Sequence, residues 1–336
     1  MQVLASARAG LESARGTSVT PTRIIYPKNG GITHTQEVGT IIPQEAWASF
    51  EPNRRAYAGL ERDTFKMTGD LTYTDAIWVF NHGVAPLASG SVTDTSAYTW
   101  AFSPNNGADD LKSSTWQYAW KDLLATVGWQ VPGVVCNRMA VTFTKAVGGA
   151  ETGVTFDADF MTASVATQIT SFTGSLSDRT INNALGNSVR SYVNGTGSAF
   201  GTTADTRINQ ATFEVTYGYV YRDGFDGTSN AIEVVRTGFR ESKLTVQRYF
   251  NDKTELDAYI AKTSRRIRIA ATGGLIGATT AVRTIQLDFG GVADAHSAAD
   301  VNGMIYANIE YQPIDDSSIG PNDFKWTVID TQATVS

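Results

Sequence analysis

The chain has 336 residues, of which 42% are hydrophobic, 10% aromatic and 18% charged, and its formal charge is −6. That length supports one large core or two of about 150 residues each, while the acidic balance disfavours tight binding to a nucleic-acid backbone, which needs clustered cations. The single cysteine, Cys136, excludes an intrachain disulfide framework or a multi-cysteine metal site and reads as a buried thiol.

No apolar run of about 18 residues and no signal-peptide plan is legible, so the expectation is a chain without a membrane helix that folds in the cytosol. The first 60 or so residues are rich in Gly, Thr and Pro, with brief apolar pieces such as Arg23-Ile24-Ile25-Tyr26. They read as an extended arm with short strands, ordered against a neighbouring molecule or as an edge of their own domain. From Thr64, the shared parity of Phe65, Met67, Gly69, Leu71 and Tyr73 predicts a strand with one buried face. Thr74 or Asp75 then caps a short helix carrying Ile77, Trp78 and Phe80, ended by Asn81-His82-Gly83. Over 91–122, Tyr98, Trp100, Phe102, Trp116, Tyr118 and Trp120 predict two strands joined by an irregular loop at 104–107.

A hairpin follows, with Met139, Val141 and Phe143 on one strand, a turn at Gly148-Gly149, and Val154, Phe156, Ala158 and Phe160 on the return. Asp157 and Asp159 face the other way. Two carboxylates on one strand face invite an acid/base or metal reading, but no third ligand accompanies them, so a solvated sheet face is expected. Residues 173–206 read as a seam of small, flexible residues. Beyond it, Phe213, Val215, Tyr217, Tyr219 and Tyr221 alternate with Thr212, Glu214 and Thr216. Residues 223–227 lack the ligand series of a calcium loop and read as a turn. Further strands are expected near Ile232 and Leu244. A helix follows from Asn251 or Asp252, with Asp252 and Glu255 at capping-box spacing and Leu256, Tyr259 and Ile260 as the buried stripe. Arg266 and Arg268 point outward from a strand, as an exposed face or an intersubunit salt-bridge surface. Two more strands, 282–289 and 301–311, precede a tail whose Ile319, Phe324, Trp326 and Val328 must pack on something.

No catalytic, cofactor or metal constellation emerges. His34, His82 and His296 are scattered, and Gly273 to Gly277 reads as a hairpin loop because it opens no helix. The aromatic parity suggests inward packing more than a carbohydrate or base-stacking surface. Residues 67–79 and 243–260 repeat one plan, a strand running into a helix, which points to two related β-domains that build something and do not turn over a substrate. The expected division is an arm (1–62), a first β-domain (63–190), a linker or loop (191–206), a second β-domain (207–312) and a C-terminal extension (313–336).

Four short pieces carry a resemblance: Gly10 to Thr17 with Pro21-Thr22, Gly69 to Tyr73, Pro132 to Asn137, and Asp159 to Met161. In this order, over roughly residues 8–310, the chain resembles the tail tube proteins (major tail proteins) of long-tailed bacteriophages with non-contractile tails. The resemblance implies a mainly β fold of two tandem antiparallel β-sandwich or barrel-like tube domains, each with a short flanking helix, plus extended terminal arms. It also implies a structural virion protein and not an enzyme, with no cofactor, assembled in the host cytoplasm and located in the virion tail. Three chains would form a ring of pseudo-sixfold symmetry, or six chains a hexameric ring, stacked into a tube. Partners implied are tape-measure, baseplate and tail-terminator proteins, and DNA passing non-specifically through the lumen without a membrane. On this resemblance Asp157, Asp159, Thr212, Glu214 and Thr216 are expected to face the lumen, where like charges keep nucleic acid sliding. Arg15, Arg23, Tyr26, Arg266, Arg268, Phe324 and Trp326 are expected at contacts between rings or subunits. The alternative is a β-rich carbohydrate-binding or adhesive module, monomeric and with a shallow aromatic groove.

Overall fold

Alternating apolar and polar residues run through most of the chain, and a computed structural model turns nearly all of them into antiparallel strands. The structure describes residues 5–25, 31–41, 57–104, 111–120, 128–145, 153–173, 176, 182–195, 198–223, 233–250, 253–301, 303–316, 319 and 323–335. The first part of the chain holds β1 (Ala5–Leu11), β2 (Arg23–Ile25), β3 (Ile32–Ile41), β4 (Tyr57–Asp70) and α1 (Tyr73–Gly83). Next come β5 (Ser91–Asp94), β6 (Ala97–Phe102), β7 (Ser114–Trp120), β8 (Gly128–Thr144), β9 (Val154–Thr162) and β10 (Thr167–Ile169). The second part holds β11 (Val189–Gly195), β12 (Ile208–Thr216), β13 (Tyr219–Arg222), β14 (Glu233–Arg236), β15 (Glu241–Tyr249) and α2 (Thr254–Ile260). It closes with β16 (Ser264–Leu275), β17 (Val282–Val301), β18 (Met304–Pro313) and β19 (Phe324–Asp330).

Two layers result. One is an eight-stranded antiparallel sheet in the order β3-β4-β9-β8-β12-β15-β18-β17. The facing layer has two parts, and two long strands feed it. The first half of β8 pairs with β7 and β10, and β7 with β1. The first half of β17 pairs with β16 and β19, which continue to β11 and β6. Each long strand thus leaves one layer and enters the other, past a bulge between Cys136 and Arg138 in β8 and between Ala293 and Ala295 in β17.

Between the layers lies one contiguous core. Phe65 of β4 and Phe160 of β9 pack on Trp116, while Phe213 of β12 meets Phe324 at 4.6 Å and Trp326 at 5.5 Å. Helix α1 joins these two clusters: Trp78 lies 5.7 Å from Trp116, and Phe80 stacks on Trp326 at 4.3 Å. Ten of its eleven residues are buried, so it is a core element enclosed by sheet and not a flanking helix. Its cap is Thr72, whose Oγ1 accepts from the Asp75 N–H. Helix α2 lies at the periphery. It buries Glu255 and Ala258, leaves Ile260 70% exposed, and is capped by Lys253; the expected cap Asp252 falls outside the described residues.

The expectation of barrel-like tandem tube domains is therefore corrected. Among the described residues the chain is mainly β with two α-helices, and no sheet closes on itself; the ladders end at open edges. Strand alternation reports which face is buried and says nothing about closure. Residues expected to be linker hold β11, paired along its length with β16. Residues expected to be a tail hold β19, a central strand between β17 and β6. The terminal arm likewise contains β1, inserted between β2 and β7. The turns expected at Gly148-Gly149 and at 224–227 lie outside the described residues.

His82, in the last turn of α1, is buried against Trp78, and its Nδ1–H donates to the Trp78 carbonyl at 3.1 Å. Burial pushes its pKa from 6.5 down to about 4, with the Trp78 carbonyl opposing and Arg23 and Lys112 adding to the drop. Between those values the unfolded chain binds a proton that the folded chain refuses, so stability falls as pH drops from 6.5 toward 4. The loss reaches about 3 kcal/mol. Urea unfolding of wild type and His82→Gln at pH 7 and pH 4.5 checks this: the variant should lose less stability on acidification than wild type.

Candidate functional site

Because side chains alternate along strands, the face of the eight-stranded sheet away from the core is polar almost throughout. It carries Thr33 and Thr35 of β3, Lys66 and Thr68 of β4, and Thr155, Asp157 and Asp159 of β9. Arg138 and Thr142 of β8 come next, then Thr212, Glu214 and Thr216 of β12, Lys243 and Thr245 of β15, and Asn308 and Glu310 of β18. Register brings the two groups expected from the sequence onto one surface: Thr142 pairs with both Thr155 and Thr212, joining the Asp157/Asp159 strand to the Glu214 strand.

Arg138 is the hub between them. Its guanidinium lies 3.2 Å from Asp159, 3.8 Å from Asp157 and 3.1 Å from Glu214. Glu214 foremost, and then Asp159, raise its pKa against partial burial. Lys66 meets Asp157 at 3.2 Å, and Lys243 approaches Glu310 at 3.9 Å. Three cations thus lie among four carboxylates, each cation with a carboxylate beside it. Beside Lys243, an open depression of about 210 Å³ is lined by Glu214, Glu241, Glu310 and Gln312. Chemically this is a hydrated, weakly acidic surface with its positive charges masked. Among the described residues no group of three His, Cys, Asp or Glu has metal-site geometry. Cys136 is buried, and burial pushes its thiol pKa up.

The other expected contact residues sit differently. Phe324 and Trp326 are 0% exposed, which places them in the core and not at an intersubunit surface. Arg23 is 4% exposed; it donates to the Thr74 carbonyl at 2.8 Å and meets Asp75 at 3.5 Å, locking β2 to the start of α1. Arg15 donates to the Val234 carbonyl and lies over Tyr219. Arg266 forms two bonds to Asp316, at 2.6 and 2.8 Å, and Arg268 binds both oxygens of Asp288, so these guanidiniums are engaged within the chain. Tyr26 lies outside the described residues. The aromatic residues that would make a carbohydrate groove, Trp100, Trp116 and Tyr118, are fully buried.

Sequence reading missed Arg138, although its parity with Thr142 and opposite Met139 was a usable signal. It also missed Glu12. Buried at 3% exposure, Glu12 accepts from Ser113 Oγ at 2.6 Å and Thr115 Oγ1 at 2.7 Å, and from the N–H groups of Gly16 and Gly133, each at 2.9 Å. Gly133 has φ +73°, a conformation that favours glycine. Two of the four resemblance pieces, 10–17 and 132–137, therefore meet at one carboxylate. Compared with protein-family models and with curated proteins, the chain matches none.

Proposed function

We propose that this chain is a structural subunit of a phage tail tube, a non-enzymatic virion protein that assembles in rings and stacks them around a channel for DNA. The observation that carries this reading is the eight-stranded sheet, with one largely polar, charge-masked face and an unpaired strand at each edge among the described residues, β3 and the second half of β17. Open edges favour pairing with another chain, and a heterologous edge-to-edge contact gives a closed ring or an open filament. A surface whose cations are already neutralised holds few free charges for phosphate, so polyanions pass without sticking. Three copies would make a ring of pseudo-sixfold symmetry.

Light scattering with negative-stain microscopy tests the assembly. Particles at multiples of 36.1 kDa that appear as hollow rings or tubes are expected; a monomer at every concentration contradicts the reading. Asp157→Lys with Asp159→Lys tests the surface. The variant should still assemble but retain a DNA fragment at least about tenfold more tightly at low salt, an excess that falls as salt rises. Unchanged retention by assembled variant would remove these acids from the account.

A further inference from the structure

The two halves of the chain repeat one topology. In the first, β3, β4, α1, β8 and β9 build the strand order β3-β4-β9-β8; in the second, β12, β15, α2, β17 and β18 build β12-β15-β18-β17. The correspondence extends into the facing layer, where β1-β7 flanks the first half of β8 as β11-β16 flanks the first half of β17.

It also holds residue by residue. Phe65 lies opposite Phe160, as Leu244 lies opposite Tyr311. Counting along the ladders from those pairs, Met139 of β8 corresponds to His296 of β17. On that alignment the two bulges coincide, at Asn137 and Asp294, and Gly133 falls on Gly290. Nothing in the pairing required this agreement.

Within the chain, the halves are joined by β8 against β12, with Thr142 opposite Thr212 and Ala140 opposite Glu214. The equivalent of β8 is β17, and the equivalent of β12 is β3. Among the described residues, these are the two edge strands of the eight-stranded sheet. Every neighbouring pair in the eight-stranded sheet is antiparallel, so β17 of one copy and β3 of the next also run antiparallel. Along β17, Ala295, Ser297, Ala298 and Ala299 are exposed, and their small side chains leave the backbone accessible; on β3, Thr33 and Thr35 are exposed.

We infer that the β8–β12 junction is the template for the contact between copies, so that β17 pairs with β3 of a second copy with Ser297 opposite Thr35 and Ala299 opposite Thr33. This rests on the tube reading and specifies its lateral partner. It sets the polar face of one copy flush with that of the next, as β8–β12 does inside the chain, and makes the edge strands the seam of the ring.

The test is disulfide trapping in the full chain carrying Thr35→Cys and Ser297→Cys. Cα atoms of opposed residues fall within the reach of a disulfide, and Cys136 is buried. Mild oxidation of assembled protein should link copies into a reducible covalent ring, while either single variant stays unlinked. Thr33→Cys with Ala299→Cys, the other opposed pair, should behave alike and serves if the first variant folds poorly. Assembled rings that link only through a displaced pair, such as Thr33→Cys with Ser297→Cys, would overturn the register and leave the tube reading standing. Rings that link through none of these pairs would overturn the strand assignment. Failure of unmodified protein to form rings would overturn both.

Discussion

Trp326→Ala should destabilise the protein by about 3–5 kcal/mol, the range for truncating a fully buried aromatic side chain. Trp326 is 0% exposed and packs on Phe80, Phe143 and Phe213, which come from α1, β8 and β12. The indole therefore fills the place where both halves of the large sheet, the facing layer and the central helix converge. A cavity there has rigid walls on every side and little freedom to collapse. Phe239→Ala is the matched control: Phe239 is 94% exposed and should change stability by less than about 0.5 kcal/mol. Guanidinium unfolding of both variants separates a core strand from a detachable arm. Removing residues 324–330 should prevent folding, because it strips β17 and β6 of their shared partner. Were β19 an arm reaching to another ring, both changes would leave the unfolding midpoint alone and affect stacking only.

Glu12→Ala should cost about 3 kcal/mol or more, since it leaves buried hydroxyl and backbone donors without an acceptor. The carboxylate receives four hydrogen bonds that tie the turn at 12–16 to β7 and to Gly133 in β8. Glu12→Gln should recover only part of the loss, because an amide offers one acceptor oxygen where the carboxylate offers two. Hydrogen exchange should show the damage concentrated in β1 and the first half of β8. Uniform destabilisation would mean that the carboxylate acts on the fold as a whole and does not pin the N-terminal segment.

Strand faces were the legible part of the sequence. Phe156, Ala158 and Phe160 alternate with Asp157 and Asp159 so cleanly that the side facing water follows from parity, and the burial pattern of β9 has that period. Helix α1 was legible to within a residue or two through its Thr and Asp near the start, although its enclosure on all sides was not. What local pattern could not give was which strands meet. The β8–β12 ladder joins residues about 70 apart, and β6–β19 joins residues more than 220 apart, so neither leaves a local trace. That is why Phe324 and Trp326 read equally well as core or contact: an apolar alternation near a chain end is the same for a central strand and for an arm. Glu12 and Arg138 were missed for a related reason. A buried or clustered charge is recognised by partners that only the fold assembles, and Glu12 finds its own from β7 and β8 as well as from its own turn. Arg266 and Arg268 show the converse, a basic run that reads as an exposed face or an intersubunit surface until the fold brings up Asp316, in the segment after β18, and Asp288, directly opposite Arg268 on β17.

The central claim is that the polar face of the eight-stranded sheet turns inward when copies assemble. A cryo-electron microscopy reconstruction of the assembled protein measures this directly. The prediction is a hollow ring with Arg138, Asp157, Asp159 and Glu214 on the channel wall and α2 away from it. A reconstruction with those side chains on the outer surface, or buried between stacked copies, would contradict it.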